Sequence, residues 1–155
     1  MKSVVFLDTS IVCNLIPVPS FDQHSDKVKE ELSIRSKSGA QFILPITAVI
    51  ETGNHIAQLP NGDARRKAAD RFSIMLTMVI NNQAPWILHD IAWNTAFLQS
   101  FLDGAETGST YVQHALNGVG AGDLCILTER QHYQSRTHLT AEIWTLDHGL
   151  EAHNQ

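Results

Sequence analysis

Val4-Val5-Phe6-Leu7 is an unbroken apolar run that stops at Asp8-Thr9-Ser10. A strand with one solvated face alternates apolar and polar residues, so a run without alternation predicts burial on both faces, as in a parallel sheet covered by helices. Parallel neighbours need long crossovers, usually helical. The remaining sequence supplies that alternation, and the class expected is α/β.

Helical spacing starts at Ile11 and reaches Ile16, where Pro17 and Pro19 stop it. Ser25 is placed to cap a helix over Asp26 to Lys37, with Val28 and Leu32 on one face and Gly39 marking its end. Gln41 to Pro45 reads as a second strand, and Thr47 as the cap of a helix through Val49, Ile50, Glu51 and Ile56 toward Leu59. Asn61-Gly62-Asp63 opens a long helix to about Ile80, in which Ala64, Ala68, Phe72, Met75 and Val79 follow the helical period. After Pro85, Trp86-Ile87-Leu88 is strand-like, and Asp90 can cap a helix carrying Ile91, Leu98 and Leu102. Asp103 to Thr110 reads as a loop or lid, Gly118-Gly120-Gly122 leads into a helix with Asp123 in its first turn, and Glu142 to Leu146 is a last strand running into Asp147.

At 155 residues, 43% of them hydrophobic, one globular domain spanning 1–155 is expected. Met1-Lys2-Ser3 leads into only four apolar residues before Asp8, and no apolar stretch approaches the roughly 20 residues that span a bilayer. The expectation is a cytoplasmic protein without membrane association. Cys13 and Cys125 have no CxxC spacing and read as small apolar residues rather than a disulfide or zinc site.

The formal net charge of −5 is unlike the basic footprint of most nucleic-acid binders. Four acids, Asp8, Glu51, Asp123 and Asp147, account for all but one unit of it if they share one site. Each stands at the end of a strand-like run or at a helix start, and in open parallel sheets that rim is where ligands bind. Converging carboxylates raise one another's pKa, and a hard cation relieves the repulsion. Oxygen-only ligation suits Mg²⁺ or Mn²⁺, one or two ions, whose chemistry supports phosphodiester hydrolysis by an activated water. Taken singly, Asp8 and Asp147 also read as turn or cap residues, and Glu51 as a solvated helix residue.

The motifs around those acids, VVFLDTSIV, PITAVIETGN, GAGDLCIL and TLDHGL, together resemble the PIN-domain ribonucleases, and most closely the small VapC-like toxins of bacterial toxin-antitoxin pairs. The resemblance spans nearly the whole chain. It implies a three-layer α/β/α fold around a mainly parallel sheet of four to five strands, with Asp8, Glu51, Asp123 and Asp147 as metal ligands and catalytic residues, steadied by Ser10 and Thr145. It also implies a single-strand-selective endoribonuclease leaving a 3′-hydroxyl and a 5′-phosphate, an antitoxin partner whose C-terminal segment lies over the active-site groove, and a homodimer. Asp123 to Asp147 spans a longer stretch than in the shortest members of that family, and Asp103 to Thr110 reads as an insertion-prone loop.

Arg65, Arg66, Lys67 and Arg71 crowd one helix and could grip RNA phosphates or form a solvated face, and Arg130, on the helix that starts at Asp123, is a further phosphate candidate. The histidines, His132 and His148 included, read as surface or packing residues, and Trp86, Trp93 and Trp144 as core. Ile11, Val12, Leu15 and Ile16 fit either a docking face or the monomer core. A PIN-like module that binds RNA or protein without cutting is the competing function. A phosphatase or receiver reading lacks a second Asp after Asp8 and a Lys after the final strand, and the glycines before Asp123 lack the Gly-Lys-Ser/Thr ending of a P-loop.

Overall fold

In the computed structural model, which describes residues 2–154, β1 (Val4–Leu7), β2 (Gln41–Leu44), β3 (Trp86–Leu88) and β4 (Ala141–Trp144) form one sheet in the order β3-β2-β1-β4. Every neighbouring pair is parallel, with Val4 opposite both Gln41 and Ala141. The chain therefore begins in the middle of the sheet, builds outward through β2 and β3, and returns to the other side of β1 for β4. The direction of building reverses between β1 and β4, and this reversal opens a crevice beyond their carboxyl ends.

Helices cover both faces, and the alternation of strand side chains divides them. Val5, Leu7, Phe42, Leu44 and Trp144 face α1 (Thr9–Leu15), α2 (Ser25–Lys37), α3 (Ile46–Ala57) and α4 (Gly62–Ile80), meeting Ile11, Val28, Ala48 and Phe72. Val4, Phe6, Ile43, Ala141 and Ile143 face the opposite way, toward Leu124, Ile126 and Leu127 of α7 (Ala121–Thr137) and Leu150 of α8 (His148–Glu151). Two shorter helices, α5 (Thr95–Leu102) and α6 (Tyr111–Leu116), lie on the route from β3 to α7. The architecture is the expected three-layer α/β/α, with four parallel strands at its centre. Each fully buried Phe or Leu of this double core contributes about 1.5–3 kcal/mol relative to exposure. Ile11, Val12 and Ile16 are buried and Leu15 packs against the same cluster, so these four belong to the monomer core rather than to a docking face. Among the described residues no helix is long and apolar enough to cross a membrane.

Several helix starts differ from the sequence expectation, and at Ser25 and Thr47 the reason is a tertiary partner that claims the side chain expected to cap. Asp8 itself caps α1, with Ser10 N donating to its Oδ2, so the helix begins at Thr9 rather than Ile11. Ser25 lies inside α2 and its hydroxyl donates to Asn14 O at 2.6 Å instead of capping. Thr47 likewise lies inside α3, its hydroxyl turned to the buried carboxylate of Glu129 at 3.1 Å. Asn94, not Asp90, caps α5 by accepting from Phe97 N, and Ile91 stays outside the helix. The short α6 was not foreseen, although Thr110 and Gln113 form a reciprocal capping box at its start.

Asp103 to Thr110 is a run of turns, as expected, with Gly104 in a left-handed conformation where a Cβ would lie 2.7 Å from the carbonyl carbon of Ser109. It is not a lid on the acidic crevice. Ala105 is buried in the α7-side core, and the loop lies beside Arg130.

Candidate functional site

Asp8 follows β1, and its amide donates to Trp144 O at 3.0 Å, which locks the end of β1 against the end of β4. Its carboxylate is buried at 4% exposure, a costly position for a charge unless hydrogen bonds compensate. They do: Ser10 Oγ and Thr145 Oγ1 each donate to Oδ2 at 2.7 Å, and Ser10 N adds a third bond at 3.3 Å. Ser10 and Thr145 are thus hydroxyl neighbours of Asp8. Thr145 Oγ1 in turn accepts from Asp147 N at 2.9 Å, and Ser10 Oγ accepts from Leu146 N at 3.0 Å, so the chain after β4 is fastened to the chain after β1.

Asp147 caps α8 through Gly149 N, 2.7 Å from its Oδ1. The cap readings of Asp8 and Asp147 are therefore true, and they coexist with a shared location. Glu51, in the second turn of α3, reaches back to α1, where Thr9 Oγ1 donates to its Oε1 at 2.7 Å. Asp123 sits in the first turn of α7. All four line one pocket of about 290 Å³ beyond the sheet.

Their mutual proximity is felt electrostatically. The Asp123 carboxyl is pushed up to about 6, first by burial and then by the negative fields of Asp8, Asp147 and Glu51. Cys13, on the floor of the same pocket, has its thiol pushed up to about 11, mainly by burial, against the lowering hydrogen bond to Thr52 and with Asp8 and Glu51 adding to the rise.

The four carboxylates are oxygen donors of the type a hard cation takes. Asp8, Glu51 and Asp147 each have one carboxylate oxygen bonded to the protein, and no donor reaches the other oxygen among the described residues. One oxygen oriented by the protein and one left over is the arrangement a ligating carboxylate needs. The set is open, however: among the described residues no three His, Cys, Asp or Glu side chains converge as a ready-made ligand group.

The basic candidates lie elsewhere. Arg130 donates to Asn154 Oδ1 and His153 O at 3.1 and 2.8 Å and lines a separate pocket, its pKa lowered by burial. Arg65 turns back to Leu59 O, Arg71 binds Ile16 O and Pro17 O, and Arg65 and Arg66 border an apolar groove between α3 and α4. None of Arg65, Arg66, Lys67, Arg71 and Arg130 lines the acidic pocket. His148 projects into solvent, and His132 packs beside Phe97, as expected of surface and packing residues. Trp86 and Trp144 are buried, whereas Trp93 is 48% exposed and stacks on Phe97 instead of entering the core.

Sequence reasoning missed several residues that shape the site. Gly122 matters by its lack of a side chain: a Cβ there would lie 2.6 Å from Glu51 Cδ. Thr9 was visible beside Asp8 but carried no signal for a partner 42 positions away. Behind the pocket, the wholly buried Glu129 accepts from Thr47 Oγ1 and pairs with His89 Nδ1 at 2.9 Å, joining α7 to the start of α3 and to the end of β3. Phe21, Gln23, His24 and His55 complete the rim, and no spacing rule marked them.

The chain matches no protein-family model, no curated protein and no solved structure.

Proposed function

We propose that this chain is a divalent-metal-dependent endoribonuclease that hydrolyses single-stranded RNA in the cytoplasm and serves as the toxin of a toxin-antitoxin pair. The observation that carries the nuclease reading is the gathering of Asp8, Glu51, Asp123 and Asp147 on one pocket at the reversal point of a parallel sheet. The substrate class, the antitoxin and a homodimeric state rest on the resemblance of the four motifs to PIN-domain ribonucleases.

Asp8, Glu51, Asp123 and Asp147 would hold Mg²⁺ or Mn²⁺ by oxygen alone. A bound ion supplies Lewis-acid charge to the water and the scissile phosphate. The protein's own part is positioning: Ser10 and Thr145 fix Asp8, Thr9 fixes Glu51, and the α8 amide of Gly149 fixes Asp147.

The test is cleavage of single-stranded RNA with Mg²⁺ or Mn²⁺. Asp8→Asn and Asp123→Asn, checked for an intact fold, are each expected to abolish it, and undiminished activity in EDTA overturns the proposal. The open ligand set favours a second reading, a module that binds RNA without cutting it. RNA binding by a well-folded protein that neither cleaves nor takes up either ion would establish that reading instead. The toxin role is checked separately, by growth arrest on expression that Asp123→Asn relieves.

A further inference from the structure

The acidic pocket has a second wall of different chemistry. Phe21 stacks on His55 with ring centroids 4.2 Å apart and planes 29° from parallel, and both rings line the pocket that holds the four carboxylates. Phe21 is 38% exposed, an unfavourable place for a phenyl ring, and it is held there by a built loop. Val18, fully buried, anchors that loop, its amide donating to Cys13 O. Asn14, 2% exposed, accepts from His24 N at 2.9 Å with its side chain and from Ser25 Oγ with its carbonyl. Ser20, just before the ring, takes a left-handed φ of 74°, a conformation that costs a non-glycine residue about 1 kcal/mol. The segment is thus fastened at both ends and leaves Phe21 partly exposed on the pocket wall.

We infer that the Phe21–His55 pair is a stacking platform for one unpaired nucleobase of the substrate RNA, set beside the carboxylates that address its phosphate. The inference rests on the RNA reading above and adds to it a base subsite. Stacking on a side chain requires a base with a free face, which a duplex does not offer, so the platform supplies a physical origin for single-strand selectivity. Gln23 and His24 line the same pocket; Gln23 Nε2 donates to Ser20 O at 2.7 Å, which leaves its Oε1 and the His24 ring for a base edge.

The test measures anisotropy of a short fluorescein-labelled single-stranded RNA, in Ca²⁺, with the full chain and two Phe21 variants. Phe21→Leu keeps apolar bulk and is expected to weaken binding about 10-fold, within the range for loss of one stacked base. Phe21→Tyr is expected to restore it. The penalty of Phe21→Leu should vanish on RNAs with an abasic position at the stacked nucleotide. Equal binding by Phe21→Leu and the parent chain, failure of Phe21→Tyr to rescue, or no binding by the parent chain overturns the platform. Binding that depends on Phe21 without cleavage in Mg²⁺ or Mn²⁺ leaves the platform standing and removes hydrolysis. Cleavage with a KM indifferent to Phe21→Leu does the reverse.

Discussion

Gly122 and Glu51 share one volume: the carboxyl group of Glu51, from α3, lies where a side chain at position 122, in the first turn of α7, would have to go. Gly122 has no positive φ, so its backbone does not demand glycine. The requirement comes from the neighbour alone. Gly122→Ala should therefore push the Glu51 carboxylate away from Asp123 and break its bond to Thr9, while the helix loses nothing and gains some propensity. A melting temperature unchanged or slightly raised, with RNA cleavage down at least about 10-fold, is the expected pair of results. Unimpaired cleavage would show that Glu51 is dispensable.

Asp8 carries two duties that substitution can separate. Asn is as good a cap as Asp, so Asp8→Asn should alter stability by only about 1 kcal/mol while removing the charge from the pocket. Thr145→Val keeps the shape but takes a donor from the buried Asp8 carboxylate, which should cost about 2 kcal/mol. Urea unfolding of the two variants checks the order, and a larger loss for Asp8→Asn contradicts it.

Asp123 gives a pH dependence with a definite sign. Its folded pKa, about 6, stands above the ordinary aspartate value of 3.8, so the fold favours the protonated form. The stability tied to that group is fully present below the unfolded pKa and declines as pH rises through the folded one. In EDTA, Asp123→Asn should melt close to the parent chain near pH 4 and above it at pH 8, the gap opening between roughly pH 4 and 6. Because Asp123 is only partly buried, the gain is put at about 1 kcal/mol, discounted for solvent screening. A gap that shrinks with rising pH would contradict the repulsive pocket.

Glu129 is buried without exposure and satisfies His89 and Thr47 at once. Glu129→Leu strands both partners inside the protein and should destabilise by about 3 kcal/mol. The double variant with His89→Leu should lose less than the sum of the single variants, since neither stranded partner of that pair then remains. Additive losses in denaturant titrations would mean that the two side chains are not coupled.

The alternation of apolar runs and helical segments was legible in the sequence, because strand burial and helix period are properties of short stretches. Val4 to Leu7 announced a doubly buried parallel strand, and its four residues are all buried between two helical layers. The opening of the longest helix at Asn61-Gly62-Asp63 was legible, since the Asn61 side chain that caps it bonds only three residues ahead. Thr47 and Ser25 were misread because the partners that claim them, Glu129 and Asn14, are 82 and 11 residues away.

The site divides along the same line. Its acids could be picked out locally, each at the end of a strand run or the start of a helix, and their chemistry follows from residue type. That they meet was decided by the strand order, which puts the ends of β1 and β4 side by side although Thr145 and Asp8 are 137 positions apart. The Glu51 carboxyl in the place of a side chain at Gly122, the hydroxyl of Thr9 on Glu51 and the Phe21–His55 stack belong wholly to the tertiary structure. Sequence patterns carry short-range preferences, whereas these contacts exist only once packing has closed the distance between helices that no local rule relates.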